Sequence, residues 1–185
     1  MGSREDELDR IAREIEHCPE CIKWGSGKAV PGEGNPDARI FFVGEAPGKE
    51  ESSTGRPFVG RSGKFLRSAL RDIGLDEKEI YISSPVKYRP KQATPSRKNV
   101  EHGFIHLEKQ LAAINPEIVV LLGRIACLAV LGEKVTVEKA HGSVIRRSGK
   151  IYLITFHPAA AMRFPSIRRK FVSDFRKLKR LIGRE

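Results

Sequence analysis

The sequence predicts an α/β fold, a three-layer αβα sandwich in which helices cover both faces of a mainly parallel four-stranded sheet. Three observations carry this prediction. Four short apolar runs have the length of strands, at 38–43, 80–86, 118–122 and 151–156. Amphipathic segments alternate with them, which is typical of parallel sheets. The run 118–122 is apolar throughout, as expected of a strand that is covered on both faces.

The first third of the chain predicts one helix, a connector and one strand. Apolar residues recur every three or four positions over 4–16, which indicates an amphipathic helix. A Cys-x-x-Cys sequence ends this helix, and a Gly/Pro-rich connector covers 25–36. Strand 38–43 leads into a loop over 44–63, and loops of this length in compact domains are usually functional.

The middle of the chain predicts a helix over 62–73, the strand 80–86 and a second helix over 97–114. This second helix is the clearest in the sequence, because its apolar residues recur by fours and threes along one stripe. Pro90 limits the second strand, since proline cannot continue a central strand. Asn115 and Pro116 end the second helix.

The last third predicts that strands and helices continue to alternate. Strand 118–122 is followed by Gly123, which opens a helix through Leu131. In chain order, the remaining predicted elements are two weaker strands at 135–138 and 143–146, a firm strand at 151–156 and a last helix over 166–182.

Length and composition indicate one globular domain over 1–185, in which 1–36 form the N-terminal helix, the Cys-x-x-Cys sequence and the connector. The chain has 39% hydrophobic and 31% charged residues, which is not the composition of a disordered protein. No apolar run approaches the ~20 residues of a membrane-spanning helix, and the polar N-terminus does not resemble a signal peptide. We therefore expect a cytoplasmic, nucleoid-associated monomer without a membrane partner.

A basic surplus predicts a polyanionic partner. The formal charge is +11, from 34 Lys and Arg against 23 Asp and Glu, and this favours nucleic acid over a generically basic surface. Lys87 and Arg89 follow the second strand and are candidate phosphate contacts. A second basic cluster covers the last quarter of the chain and consists of Arg163, Arg168, Arg169, Lys170, Arg176, Lys177, Lys179, Arg180 and Arg184.

Two short stretches follow strand ends and predict the site. One is Gly44-Glu45-Ala46-Pro47-Gly48, and the other is His157-Pro158-Ala159-Ala160-Ala161. Ligands of open parallel sheets bind outside the carboxyl ends of the strands. A bent backbone loop and a histidine are therefore expected to face one pocket.

These stretches also carry a resemblance to a known family. The sequence Gly44 to Gly48, then Glu51, the segment Gly55-Arg56-Pro57-Phe58-Val59-Gly60, and His157-Pro158-Ala159-Ala160 with Arg163 resemble the family 4 uracil-DNA glycosylases. The resemblance covers most of the chain. It implies the three-layer fold and a DNA repair enzyme that flips uracil out of DNA and hydrolyses its N-glycosidic bond.

The resemblance also implies roles for individual residues. His157 would donate a hydrogen bond to O2 of the departing uracil, and Glu45 is the candidate for orienting water. Backbone groups of Ala46, Pro47 and Gly48 would shape the pocket. The ring of Phe58 would stack on the base. The hydroxyl of Ser84 would face the uracil edge, at a position where the family has asparagine. Arg163 would contact phosphates or wedge into the duplex.

The family ligates a 4Fe–4S cluster through four cysteines, and this chain departs from that pattern. Cys18 and Cys21 match the first two ligands, whereas Tyr88 and about Gly103 occupy the other positions. We expect no cofactor in the chemistry and a metal-free fold in which Tyr88 packs where the cluster would sit. A site completed by His102 or His106 stays open, although both histidines are expected on a solvated helix flank.

Two other functions remain open at this stage. One is a non-catalytic relative that binds damaged or single-stranded DNA without cleaving the base. The other is a glycosylase for a different deaminated base such as hypoxanthine, because Ser84 offers one hydroxyl where an amide would offer both a donor and an acceptor.

Overall fold

The computed structural model of the protein describes residues 2–92 and 94–183, so that Arg184 of the basic cluster lies outside the described residues. The helices of this part are Arg4–Glu16 (α1), Pro19–Trp24 (α2), Lys49–Thr54 (α3), Arg61–Asp72 (α4), Arg97–Ile114 (α5), Arg124–Leu131 (α6), Val137–Ala140 (α7), Pro158–Arg163 (α8) and Pro165–Leu181 (α9). The strands are Gly25–Ser26 (β1), Glu33–Gly34 (β2), Ile40–Val43 (β3), Ile80–Ser83 (β4), Arg89–Pro90 (β5), Ile118–Leu122 (β6), Val144–Arg147 (β7) and Lys150–Thr155 (β8).

The main sheet has the strand order β2-β4-β3-β6-β8-β7 within the described residues. Its four central strands are parallel and are the four that the sequence predicts. The short strands β2 and β7 add antiparallel edges to this core. The predicted α/β class with a mainly parallel sheet is therefore confirmed. The sheet has two edge strands beyond the predicted four: β7 corresponds to the weaker strand predicted at 143–146, and β2 was not predicted.

The central strands alternate their side chains between two apolar layers. Phe42 and Val120 face a layer formed with α4 and α9, whereas Phe41 and Val119 face a layer formed with α1 and α5. Full burial of one large apolar side chain stabilises a fold by about 1.5–3 kcal/mol, so these two layers dominate its stability. Because both faces are covered, β3 and β6 are apolar throughout.

Local signals fix the ends of the long helices. Ser3 accepts a hydrogen bond from the backbone N–H of Asp6, and Ser96 accepts one from Asn99, in reciprocal capping boxes. Asn115 ends α5 in the left-handed conformation with φ of 50°. The predicted bounds of α1 and α5 agree with the structure for this reason, and those of α6 agree because Gly132 ends it in the left-handed conformation.

The predicted elements differ from the structure at several points. The predicted strand at 135–138 is wrong, because Val137–Ala140 forms a short helix. The predicted loop over 44–63 contains the helix α3 between its two Gly-rich ends. The predicted last helix over 166–182 agrees with α9 to within one residue. The short helix α8 before it was not predicted; it ends at Phe164, because Pro165 supplies no backbone N–H and starts a new helix.

The topology brings the two loops of the predicted site together. Strands β3 and β8 are both parallel to β6, so their carboxyl ends lie at the same edge of the sheet. The Gly44 N–H donates to the Ser83 carbonyl at 2.9 Å, and the Gly123 N–H donates to the Thr155 carbonyl at 2.9 Å. Among the helices of the described residues, none is long and apolar enough to span a membrane.

Candidate active site

A cavity of about 180 Å³ lies at the carboxyl ends of the parallel strands. A protein cavity of roughly 150 Å³ is known to hold one benzene ring, so this one has room for a single planar base. Its lining residues are Val30, Ala46, Pro47, Gly48, Glu51, Pro57, Phe58, Ser62, Ser84 and His157. The structure therefore brings together His157 and all five residues predicted to bind substrate.

His157 is the second residue after β8 and caps the N-terminus of α8. Its Nδ1 accepts a hydrogen bond from the Ala159 backbone N–H at 3.2 Å. A neutral imidazole that accepts at Nδ1 carries its proton on Nε2. Burial lowers the pKa of His157 to about 4, against a weaker opposing effect of Glu51. At neutral pH the ring is therefore an uncharged Nε2–H donor on the cavity wall.

Phe58 forms another wall of the cavity, with its ring centroid 6.0 Å from that of His157 and the two planes tilted by 31°. Phe58 is buried although its φ is +51°, a conformation that non-glycine residues rarely adopt. Such backbone strain is typical of functional sites. Gly44 makes room for it, because a Cβ atom at this position would lie 2.6 Å from Phe58 Cζ.

Glu51 joins the two loops around the cavity, and sequence reasoning did not assign it a role in the site. Its Oε1 accepts hydrogen bonds from the backbone N–H groups of Val59 at 3.0 Å and Gly60 at 2.8 Å. Its Oε2 accepts one from the Gly48 N–H at 3.1 Å. The sequence does contain a signal for this role. Glu51 is an acidic residue between two Gly-rich turns, and the backbone N–H groups of such turns need an acceptor.

Ser84 lies one residue beyond β4 and is buried in the cavity wall. Within the part of the chain that the structure describes, the Ser84 hydroxyl has no hydrogen-bond partner. It is close to Gly44, where a Cβ atom would lie 2.8 Å from Ser84 Oγ. The hydroxyl is therefore available to a ligand.

Glu45 occupies a different position from its neighbours in the loop. It is half-buried but does not line the cavity, whereas the next three residues do. Burial raises the pKa of its carboxyl group, and the charge of Arg124 opposes this shift. The Glu45 carbonyl accepts a hydrogen bond from the Val86 N–H at 3.4 Å. If the Glu45 side chain orients water, it does so from outside the residues that line the cavity.

Lys87 is buried, in contrast to its prediction as a phosphate contact. Its side chain is 1% exposed, so the predicted contact with DNA phosphates is not available to it. The Nζ atom donates to Ser83 Oγ at 2.6 Å, to Gln110 Oε1 at 2.7 Å and to the Pro31 carbonyl at 3.2 Å. Burial lowers the pKa of Lys87 to about 7. Lys87 thus joins β4 to α5 inside the protein.

Arg163 and Arg89 are exposed, as a phosphate contact requires. The Arg163 guanidinium lies 5.3 Å from the centre of the Phe164 ring at the end of α8. Arg163 also lines an open groove of about 520 Å³ that shares Glu51 and Ser62 with the cavity. The other residues of the groove include Lys49, Arg61 and Met162, which the sequence analysis did not single out.

A buried hydrogen-bond network lies at the end of β8, two residues before His157. The Thr155 hydroxyl donates to Asp174 Oδ2 at 2.7 Å, and His141 Nδ1 lies 3.1 Å from Asp174 Oδ1. Burial raises the pKa of Asp174, and its hydrogen bonds to Thr155 and His141 oppose this shift. The network connects α9 to the end of β8 and so supports the backbone at His157.

A second cluster of reactive side chains lies away from the cavity. Cys18, Cys21, His102 and His106 place their four ligand atoms within 4.8 Å of one another. The prediction that His106 is solvated is wrong, because α5 packs this face against the N-terminal helices and His106 is buried. These four residues are the candidate ligands for a metal ion.

Comparisons with known proteins agree with this geometry. Residues 31–179 match the sequence profile of the uracil DNA glycosylase superfamily. The chain is 38% identical to a type-4 uracil-DNA glycosylase of Archaeoglobus fulgidus over 97% of this chain and 96% of the relative. It is 38% identical to that of Thermotoga maritima over 100% of both chains, and 36% identical to that of Sulfurisphaera tokodaii over 95% of this chain and 85% of the relative.

Proposed function

The chain belongs to the uracil DNA glycosylase superfamily, and from this premise we propose that it excises uracil from DNA and leaves an abasic site. One observation carries the proposal beyond family membership. A neutral Nε2–H donor of His157 and the ring of Phe58 line one cavity that has room for a single base. A base reaches such a cavity by rotating out of the duplex.

The reaction breaks the bond between N1 of uracil and C1′ of the sugar, and both bonding electrons leave with the base. Negative charge then develops on the uracil N1 and O2, while the sugar becomes cationic. A hydrogen bond from His157 Nε2 to O2 stabilises that charge more in the transition state than in the ground state. A water oxygen bonds to C1′, and the proton that it releases balances the charge of the departing uracil.

His157 suits this role because it is uncharged. A neutral donor stabilises the uracil anion without requiring that a buried imidazolium be desolvated first. Its orientation is preset, since Nδ1 is already used by the Ala159 N–H. A donor that is fixed before the reaction has no reorganisation cost when charge develops.

Phe58 and Ser84 supply binding and selection. Stacking of a base on an aromatic ring contributes about 1–3 kcal/mol. The Ser84 hydroxyl offers one hydrogen bond to the base edge, whereas an amide would offer a donor and an acceptor together. The backbone at Ala46, Pro47 and Gly48 completes the wall. Glu45 is proposed to orient water through its backbone or side chain.

The DNA is proposed to approach the face that carries Arg163, with Arg89 at its flank. Arg163 lines the groove that continues from the cavity, and exposed guanidinium groups bind phosphates well. The net charge of +11 supports binding to a polyanion. We further propose one domain over 1–185 that acts as a monomer near the nucleoid in the cytoplasm; the packing of α1 on α5 supports the single domain.

A cleavage assay tests the function directly. The full chain is incubated with an oligonucleotide that carries one uracil, and alkali then breaks the strand at any abasic site. We expect strand breaks at the uracil. Strand breaks only at hypoxanthine or xanthine in matched oligonucleotides would assign a different base, and a gel shift without any breaks would contradict the enzymatic function.

A further inference from the structure

The cluster of Cys18, Cys21, His102 and His106 joins two separate parts of the chain. Cys18 caps the short helix α2 and Cys21 lies within it, whereas His102 and His106 are four residues apart on α5. Residues at this spacing share one face of a helix. Cys18 Sγ lies 3.1 Å from His102 Nε2, and all four ligand atoms lie within 4.8 Å of one another.

The residues of this chain do not fit a 4Fe–4S cluster. Such a cluster is held by four thiolates, and the two positions that the resemblance assigns to the remaining cysteines fall at Tyr88 and at about Gly103. Tyr88 is buried, and its hydroxyl donates to the Glu16 carbonyl at 3.1 Å. A Cβ atom at position 103 would lie 1.9 Å from the Pro85 carbonyl oxygen, so a cysteine has no room there on this backbone.

We propose that Cys18, Cys21, His102 and His106 bind a single zinc ion in place of the iron–sulfur cluster of the family. Two thiolates and two imidazoles are a common donor set of structural zinc sites. Zn–S bonds of about 2.3 Å and Zn–N bonds of about 2.0–2.1 Å put tetrahedral ligand atoms roughly 3.3–3.8 Å apart. The observed limit of 4.8 Å accommodates this tetrahedron with small side-chain shifts.

His106 provides the second observation. Its side chain is buried, and within the described residues neither Nδ1 nor Nε2 has a hydrogen-bond partner. A buried polar atom without a hydrogen-bond partner destabilises a fold, so a ligand from outside the protein is expected to contact it. A zinc ion accepts the lone pair of one ring nitrogen. The ion thereby gives one ring nitrogen of this buried histidine a partner.

Two cysteines and two histidines are also the donor set of a 2Fe–2S cluster of the Rieske type. In that arrangement both cysteines bind one iron and both histidines bind the other, which separates the sulfur pair from the nitrogen pair. In this structure a sulfur and a nitrogen are instead adjacent, with Cys18 Sγ 3.1 Å from His102 Nε2. One ion shared by all four atoms fits the distances better.

The site is structural in this proposal and takes no part in base excision. All four tetrahedral positions are filled by protein, which leaves none for water or substrate. The ion connects α2 to α5, and β1 directly after α2 pairs with β5, which carries Arg89. Binding of the ion therefore contributes to folding of the N-terminal segment. The inference is independent of the proposed function.

The experiment measures metal on the full-length protein, purified without chelator and also without oxygen. Elemental analysis should give about one zinc per chain and no inorganic sulfide. Replacement of zinc by Co²⁺ should give the absorption of a tetrahedral, thiolate-bound cobalt ion, and X-ray absorption should give two sulfur and two nitrogen neighbours. This spectrum needs no variant and so does not depend on how a variant folds.

Variants assign the ligands. Cys21→Ser and His106→Gln should each lower zinc affinity by about 100-fold or more, since loss even of an outer-shell contact costs about 10–100-fold. Cys127→Ser and His17→Gln are the matched controls, because Cys127 is buried in α6 and His17 bonds the Arg13 carbonyl. Both controls should keep full zinc. Iron with stoichiometric sulfide, absence of metal after dialysis against zinc, or zinc retention by Cys21→Ser would each overturn the proposal.

Discussion

The carboxylate of Glu51 accepts a hydrogen bond from the Gly60 N–H at 2.8 Å across the mouth of the cavity. The same side chain holds Val59 and Gly48. Since Phe58 directly precedes Val59, this one carboxylate fixes the aromatic wall relative to the bent loop. The shape of the cavity therefore depends on a residue that need not touch the base.

Glu51→Gln should weaken both the fold and the enzyme. The amide replaces one accepting oxygen by a donor that faces backbone N–H groups, and hydrogen bonds to a charged group contribute about 1.5–3 kcal/mol. We expect a loss of about 2 kcal/mol in the free energy of unfolding in urea and slower single-turnover excision. Glu50→Gln is the control, because Glu50 is exposed on the same helix. Equal stability of the two variants would contradict the role of Glu51.

Gly44→Ala should distort the cavity. The new methyl group would lie 2.6 Å from Phe58 Cζ and 2.8 Å from Ser84 Oγ, so at least one wall must move. A displacement of about 1 Å in an active site costs on the order of 100-fold in rate. We therefore expect single-turnover excision to fall about 10- to 100-fold.

Gly74→Ala is the control for that substitution. Gly74 has φ of +73°, but nothing lies within 4 Å of a Cβ atom there. A left-handed alanine costs about 1–2 kcal/mol of stability. This variant should be less stable and yet excise uracil at the wild-type rate while folded. Wild-type excision by Gly44→Ala would show that the cavity tolerates the methyl group.

The pH profile reports on the charge of His157. Burial lowers its pKa from 6.5 to about 4, so the ring stays neutral as the pH falls through the range in which an ordinary histidine gains a proton. Single-turnover excision should therefore show no inflection near pH 6.5. A loss of activity that titrates near 6.5 would mean that the ring is solvated in the enzyme.

The same shift has a consequence for stability. Between pH 6.5 and about pH 4, His157 binds a proton in the unfolded chain but not in the folded chain. The contribution of His157 to stability is thus complete above pH 6.5 and declines as the pH falls through that window. Urea unfolding of the wild type and of His157→Gln at pH 7.5 and 5 should show a smaller decline for the variant.

Arg163 and Lys87 should differ in the salt dependence of DNA binding. Each phosphate contact contributes about 0.9 to the slope of log K against log salt on duplex DNA. Arg163→Ala should reduce the magnitude of that slope by about 0.9. Lys87→Met should leave the slope unchanged and reduce stability instead, because it removes buried hydrogen bonds to Ser83 and Gln110. An unchanged slope for Arg163→Ala would remove it from the DNA interface.

The parts of the fold that the sequence predicts are those with a local periodic signal. The stripe of α5 and the apolar run of β6 are fixed by neighbours in sequence, and their predicted bounds agree with the structure. The helix α3 has only six residues, which is too short for a periodic pattern to be distinguished from a loop.

The parts of the site that were predicted also have local signals in the sequence. Strand ends and Gly/Pro loops are visible in sequence, so the meeting of His157 with the loop at Gly48 follows from parallel topology. The burial of Lys87 was not visible, because its partner Gln110 is 23 residues away on α5. The burial of His106 depends likewise on how α1 and α2 pack against α5.

Single-turnover excision of uracil by His157→Ala tests whether the imidazole stabilises the departing base. Loss of one preorganised donor to a developing anion costs about 10²–10³ in rate, so the variant should be slower by about 100-fold or more. Its affinity for uracil-containing DNA should change little. Excision at the wild-type rate would show that the imidazole does not stabilise the departing base, and the proposed mechanism would be wrong.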